Sequence, residues 1–358
     1  MIGNCFIAGF ILFLFLVNMI KRISYKAIFI SAVHVVALGL TGCNSDDSTS
    51  TIIKGTIQFP PADKIYFYSL ADSTDIFLEN KTAMDSSAID KNGNYSFSLP
   101  LKNACAFDLV CGKKNLANNL FISPGDKLKI IFSSRSNDAH VISSGDAGKY
   151  NSYLIHFLDT FYRAASIREE YYIGTNYMDI QQFTLYNERR KQMQLDFFDN
   201  YFKGDSPKKE LQDYALNTIH YGIAVDRLMY IGKKRMKGEN VIADSSYFAF
   251  ATPSFVENKD AFNCPAYIRF LNLYIKDMYE RMVEREALPR DKSVRLIPAV
   301  EKYKLAMQLL HKPFRDAVLY NIIYNDMHDV TENAIVNPQV KLSPDSMMVL
   351  FIRKYSLN

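Results

Sequence analysis

The residue whose type and spacing most clearly announce a chemistry is Cys43. In Leu40-Thr41-Gly42-Cys43 a cysteine follows a leucine, a small threonine and a glycine, the spacing of a lipobox, in which the thiol just after the cut carries a diacylglyceryl group. Ahead of it, Lys21, Arg22 and Lys26 form a cationic n-region, and the apolar run Ala27 to Leu40 has the length of a secretory h-region. Behind it, Asn44-Ser45-Asp46-Asp47-Ser48-Thr49-Ser50 is too poor in apolar side chains to pack and reads as a tether. Residues 1–42 are therefore expected to be a lipoprotein signal peptide, Cys43 the lipidation site and 43–50 a polar tether. The competing reading is a buried N-terminal helix with an incidental cysteine. An earlier apolar stretch, Cys5 to Val17, precedes the positive charges and is shorter than the roughly 20 residues of a spanning helix. Translation from Met19 would supply an ordinary n-region, the alternative being a genuine N-terminal membrane segment.

No other group of residues has comparable spacing. His140, His156, His220, His311 and His328 are scattered without a metal-ligand pattern such as H-E-x-x-H. His328, between Asp326 and Asp329, is the best acid–base candidate, but a polar helix end is the simpler account. Glu169 and Glu170 are adjacent and so point to different parts of a helix. Gly145-Asp146-Ala147-Gly148-Lys149-Tyr150 imitates a phosphate loop without its glycine spacing or the Ser/Thr after lysine, and fits a hinge. Cys264, before Pro265, has no base near it in sequence and reads as an inert helix-start cysteine. Arg189-Arg190-Lys191, preceded by Glu188, reads as a solvated helix face. Tyr171, Tyr172 and Tyr177 around Gly174 could line a groove, with ordinary bundle packing the simpler account. No catalytic, cofactor-binding or metal-binding residue is assigned.

Charge and cysteine usage narrow the classes. The chain has 42 Lys plus Arg and 38 Asp plus Glu, and three of the basic residues lie in 1–42, leaving 39 against 38. This near-neutral balance argues against a nucleic-acid partner, which needs a clustered cationic footprint. After Cys43 come Cys105, Cys111 and Cys264. Cys105 and Cys111 fall in one expected strand, about 20 Å apart at roughly 3.3 Å per residue, beyond disulfide reach. They should be core thiols. No Cys-x-x-Cys occurs.

The elements that would position any site fall into two blocks. From Thr51 to about Ile142 the apolar pattern has period two: Ile53, Gly55, Ile57 and Phe59 against Lys54, Thr56 and Gln58. Further strands are expected over Lys64 to Leu70, Tyr95 to Leu99, Ala104 to Cys111, Leu116 to Ile122 and Lys127 to Phe132. The cluster Asp90-Lys91-Asn92-Gly93-Asn94 is the clearest hairpin signal. From Ser143 the period changes. Tyr150, Tyr153, Leu154, Phe157, Leu158, Phe161 and Tyr162 make one helical stripe. Helices are expected over Asp179 to Phe202, Leu211 to Ile231 with a stop at Gly232, from Pro265 through Met282, Pro298 to Leu310, Pro313 to Met327, and after Ser343. Pro253 to Asn263 reads as loop. The expected fold is α+β: an antiparallel β-sandwich over 51–142 followed by an irregular all-helical domain over 143–358.

Several stretches carry a likeness to a family: the lipobox, the Asn-Gly turn leading into Tyr95-Ser96-Phe97, the segment Phe121-Ile122-Ser123-Pro124-Gly125-Asp126-Lys127-Leu128, and Asn151-Ser152-Tyr153-Leu154 opening the helices. With Pro265-Ala266-Tyr267 and Tyr303-Lys304-Leu305-Ala306-Met307, the chain resembles the N-terminal part of TlpA/ResA-like thiol-disulfide oxidoreductase lipoproteins of Bacteroidetes. In that family the chemistry belongs to a C-terminal thioredoxin domain with a Cys-x-x-Cys, which this sequence lacks, so no catalytic residue carries over. The resemblance implies a lipid-anchored envelope protein, on either the periplasmic or the surface face of the outer membrane, that binds or positions a partner without catalysis. Its partners would be the membrane, through Cys43, and an envelope protein or a separate thioredoxin-fold protein. Two alternatives stand beside it: an accessory or truncated member of a thiol-disulfide system, and a surface glycan-binding lipoprotein.

Overall fold

The computed structural model describes residues 50–70, 83–133, 141–239, 241, 243–285 and 296–322, all within one compact unit. The fold is α+β, two four-stranded sheets followed by helices. The strands are β1 (Thr51–Ile57), β2 (Lys64–Ser69), β3 (Asp85–Ala88), β4 (Asn94–Leu99), β5 (Cys105–Cys111), β6 (Lys114–Ile122), β7 (Lys127–Phe132) and β8 (Val141–Gly145). One sheet runs β4-β1-β7-β8 and the other β3-β2-β5-β6. The period-two pattern does what it predicts: along β4, Tyr95, Phe97 and Leu99 are buried while Asn94, Ser96 and Ser98 are exposed. Apolar residues of both sheets form a single cluster, with Phe67 of one sheet 6.1 Å from Phe97 of the other, ring centre to ring centre.

Two expectations about the sheets are corrected. The Asn-Gly turn does not close a hairpin: β3 pairs with β2 and β4 pairs with β1, so the turn carries the chain from one sheet to the other. Asp90 holds it, accepting from the backbone N–H groups of Asn92 and Asn94, each at 2.8 Å. Turn chemistry dictates a reversal, but the ladder each flanking strand joins is decided by its apolar face. The sheets are also not wholly antiparallel, because β1 runs parallel to β7 with Ile53 opposite Leu128 and Gly55 opposite Ile130. The connection between them passes through the other sheet, which gives it the length a parallel pair requires. A Cβ on Gly55 would stand 1.7 Å from the Ile130 carbonyl oxygen, so this pairing needs glycine there.

The helices are α1 (Gly148–Leu158), α2 (Ala165–Tyr177), α3 (Ile180–Tyr201), α4 (Lys209–Met236), α5 (Pro253–Val256), α6 (Pro265–Arg285), α7 (Leu296–Leu309) and α8 (314–322). The stripe from Tyr150 to Tyr162 is one face, but its last turn, Asp159–Arg163, widens into a π-helix. Asp179 starts α3 with a reciprocal capping box to Gln182. The stop expected at Gly232 is wrong. The helix passes through it to Met236 and ends before Gly238, whose φ of +74° suits a C-terminal cap. An interior glycine costs only about 1 kcal/mol, which the packed face of α4 outweighs. Pro253 to Asn263 holds α5 and a turn of 3₁₀ helix rather than loop alone. The helix expected after Ser343 lies outside the described residues.

The first helix is fastened to the second sheet by one side chain. Asn151 is fully buried. Its Oδ1 accepts from the Phe121 N–H and its Nδ2 donates to the Phe121 carbonyl, both at 2.8 Å, so the carboxamide pairs with edge strand β6 as another peptide would. Asp126 supplies a second tie, accepting from Ser123 N–H inside its turn and from Lys208 Nζ, at the start of α4, at 2.5 Å.

Candidate functional site

Of the residues singled out in the sequence, Cys43, His140 and His328 lie outside the described residues. Cys105, Cys111 and Cys264 are buried thiols, the first two at opposite ends of β5. Burial raises the thiols of Cys111 and Cys264, which leaves them protonated and poor nucleophiles. Glu169 and Glu170 are exposed, and Gly145 to Tyr150 joins β8 to α1. The tyrosine group divides: Tyr172 and Tyr177 are exposed and meet edge to face, while Tyr171 turns inward. Among the described residues no three His, Cys, Asp or Glu side chains gather as metal ligands, and no helix is long and apolar enough to cross a membrane.

The reading of Arg189-Arg190-Lys191 as a solvated face fails at Arg190 alone, since Arg189 is exposed and Lys191 half-buried. Arg190 is buried and forms an ion pair with Asp226 of α4, donates to the Phe161 carbonyl at 3.2 Å, and lies 4.9 Å from the centre of the Tyr162 ring. The Tyr171 hydroxyl also acts on the same carboxylate, favouring its charged form. Burial pushes the Asp226 carboxyl above its ordinary range, against the pull of Arg190.

Asp226 and Tyr162 form part of the lining of a cleft of about 400 Å³ between the second sheet and the helices. The sheet side contributes Leu70, Asp108, Asn118 and Asn119. Along α4, Thr218, Gly222, Val225 and Asp226 recur on one helical face toward it, and Ala266 and Arg269 come from the first turns of α6. Two departures from regular backbone and one close approach meet here. Tyr162 sits on the π-helical turn. Asn119 has a φ of +54°, the one non-glycine residue with positive φ among the described residues, and donates its N–H to Asp108 Oδ1 at 2.9 Å. Gly222 lets Tyr162 approach: a Cβ there would stand 2.9 Å from the tyrosine hydroxyl oxygen. Such irregularities cost free energy and gather where a chain is shaped for a task.

Burial raises Tyr162, Tyr171 and Tyr214, so all three remain protonated hydroxyls. Thr218 donates to the Tyr214 carbonyl at 2.8 Å and its Oγ1 lies 3.5 Å from Cys264 Sγ. With the hydroxyl of Thr218 engaged, the Cys264 thiol protonated and Asp226 tied to Arg190, the cleft offers directed hydrogen bonds rather than a nucleophile with its base. A neighbouring hollow of about 390 Å³ mixes charged residues such as Lys102, Glu210 and Lys259 with Phe121, Tyr214 and Cys264. At the surface, His311 Nδ1 lies 3.0 Å from Glu257 Oε1, a pair distant in sequence that spacing could not reveal. The signal for the buried cluster was present: Phe183, Asn187, Arg190, Gln194 and Phe198 recur at helical spacing and are all buried. No known protein-family model matches the chain, and no curated protein matches it.

Proposed function

We propose that the chain is a non-enzymatic binding module of the cell envelope, anchored to the outer membrane through lipidated Cys43, that takes a small polar ligand in the cleft between its sheets and helices. The observation that carries the binding is the meeting of the π-helical turn, left-handed Asn119 and Gly222 around the Asp226–Arg190 pair. Reading the two sheets as the layers of a β-sandwich is supported by the apolar cluster they share. A sandwich followed by helices is also the order implied by the resemblance to the N-terminal part of TlpA/ResA-like lipoproteins. The lipobox supports the anchor.

A thermal-shift screen of small polar compounds on the mature chain tests the binding. A ligand at roughly a hundredfold excess over its Kd adds about 2.7 kcal/mol of stability. At least one compound should raise the Tm, and Ala266→Leu, which fills the cleft, should abolish the rise. A screen without a shift overturns the binding. Cys43→Ala should move the protein from the membrane fraction to the soluble one, and retention in the membrane overturns the anchor.

A further inference from the structure

The chemistry of the cleft walls narrows the ligand class. Arg269 is exposed and forms no ion pair among the described residues; its guanidinium donates to Met229 Sδ at 3.1 Å. It shares the cleft with Asp226, and its charge acts on that carboxyl without bonding to it. A ligand carboxylate between the two would be repelled by Asp226, and an ammonium by Arg269. A hydroxyl satisfies both, donating to the carboxylate while accepting from the guanidinium. The sheet wall repeats this dual demand, since the carboxamides of Asn118 and Asn119 each offer a donor and an acceptor. Between these polar edges lie Leu158, Val225 and Ala266, an apolar surface suited to the C–H face of a ring. The volume, about 400 Å³, falls in the range of small-molecule sites.

We propose that the cleft binds a neutral polyhydroxylated ring compound, a mono- or disaccharide, with one hydroxyl held between Asp226 and Arg269. This rests on the cleft being the binding site. The test is saturation-transfer NMR and calorimetry on the mature chain with a panel of neutral mono- and disaccharides, beside uronic acids, amino sugars and amino acids. A neutral sugar should bind, about tenfold more weakly in Arg269→Leu, the loss of one charged hydrogen bond. Ala266→Leu should abolish binding, with circular dichroism showing both variants folded. Asn118→Ala replaces Arg269→Leu if that variant does not fold. Preference for a charged compound, blocked by Ala266→Leu, overturns the ligand class and leaves the cleft as a binding site. Sugar binding indifferent to the variants overturns the placement, and no binding by any compound overturns both readings.

Discussion

The sheets and the helices differ in how they bury charge. In the sheet region the buried polar side chains serve the backbone: Thr51 donates to the Ser123 carbonyl and accepts from the Gly125 N–H, Asp126 accepts from Ser123, and Asp108 from Asn119. In the helices asparagines such as Asn151 and Asn187 also serve the backbone, but buried charges pair across the bundle as well, Arg190 with Asp226 and Arg235 with Asp277 at 2.7 Å. The fully buried polar side-chain atoms without a hydrogen-bond partner among the described residues also fall in this region, on Tyr153, Tyr186, Asn187, Arg190, Gln194 and Arg227. The difference follows from the backbone. A strand leaves its N–H and C=O groups to be satisfied by neighbours, so register supplies specificity. A helix satisfies its own, so the choice among packings of apolar faces passes to side chains. The proposed ligand site lies where the two systems meet.

The sharpest way to break this contrast is to remove Asp226. Asp226→Ala leaves Arg190 buried without its counter-charge and should lower stability by about 3–5 kcal/mol in urea unfolding, whereas Arg190→Met with Asp226→Leu should recover most of the loss. A double variant as unstable as the single one would show that packing, not charge, holds this part of the bundle.

Asn151 tests the seam. Asn151→Ala leaves the Phe121 N–H and carbonyl without their partner and should cost about 2 kcal/mol, read by urea unfolding, with faster amide exchange at Phe121. Unchanged exchange there would mean that β6 is closed by something other than this carboxamide.

The smallest effect is a pH dependence confined to the helices. Burial, followed by the charge of Lys191, holds the His220 imidazole below its ordinary value of 6.5. The unfolded chain therefore takes up the proton more readily than the folded one. The contribution of His220 is complete above pH 6.5 and is lost as the pH falls through its folded pKa. His220→Gln should flatten the slope of stability against pH just below 6.5, and an unchanged slope would assign it to other groups.

Much of the local structure was legible in the sequence because it depends on neighbours along the chain. Alternation marked β4, the run Lys127 to Phe132 is β7 residue for residue, and the helix expected over Asp179 to Phe202 matches α3 closely. The polar strand Asp85–Ala88 was invisible because its burial alternates only weakly; its place is set by pairing with β2. Arg190 was misread because a cationic triplet is usually solvated, and its burial depends on Asp226, distant in sequence, waiting on α4.

By itself the sequence determined the strand-then-helix order, the places of the chain reversals and which faces are apolar, since period and turn chemistry act over a few residues. Only the tertiary structure decided which sheet each strand joins, that β1 and β7 run parallel, and that Tyr162, Asn119, Gly222 and Asp226 share one cleft. Those choices depend on long-range burial and on charge pairing across elements, and no local spacing encodes them.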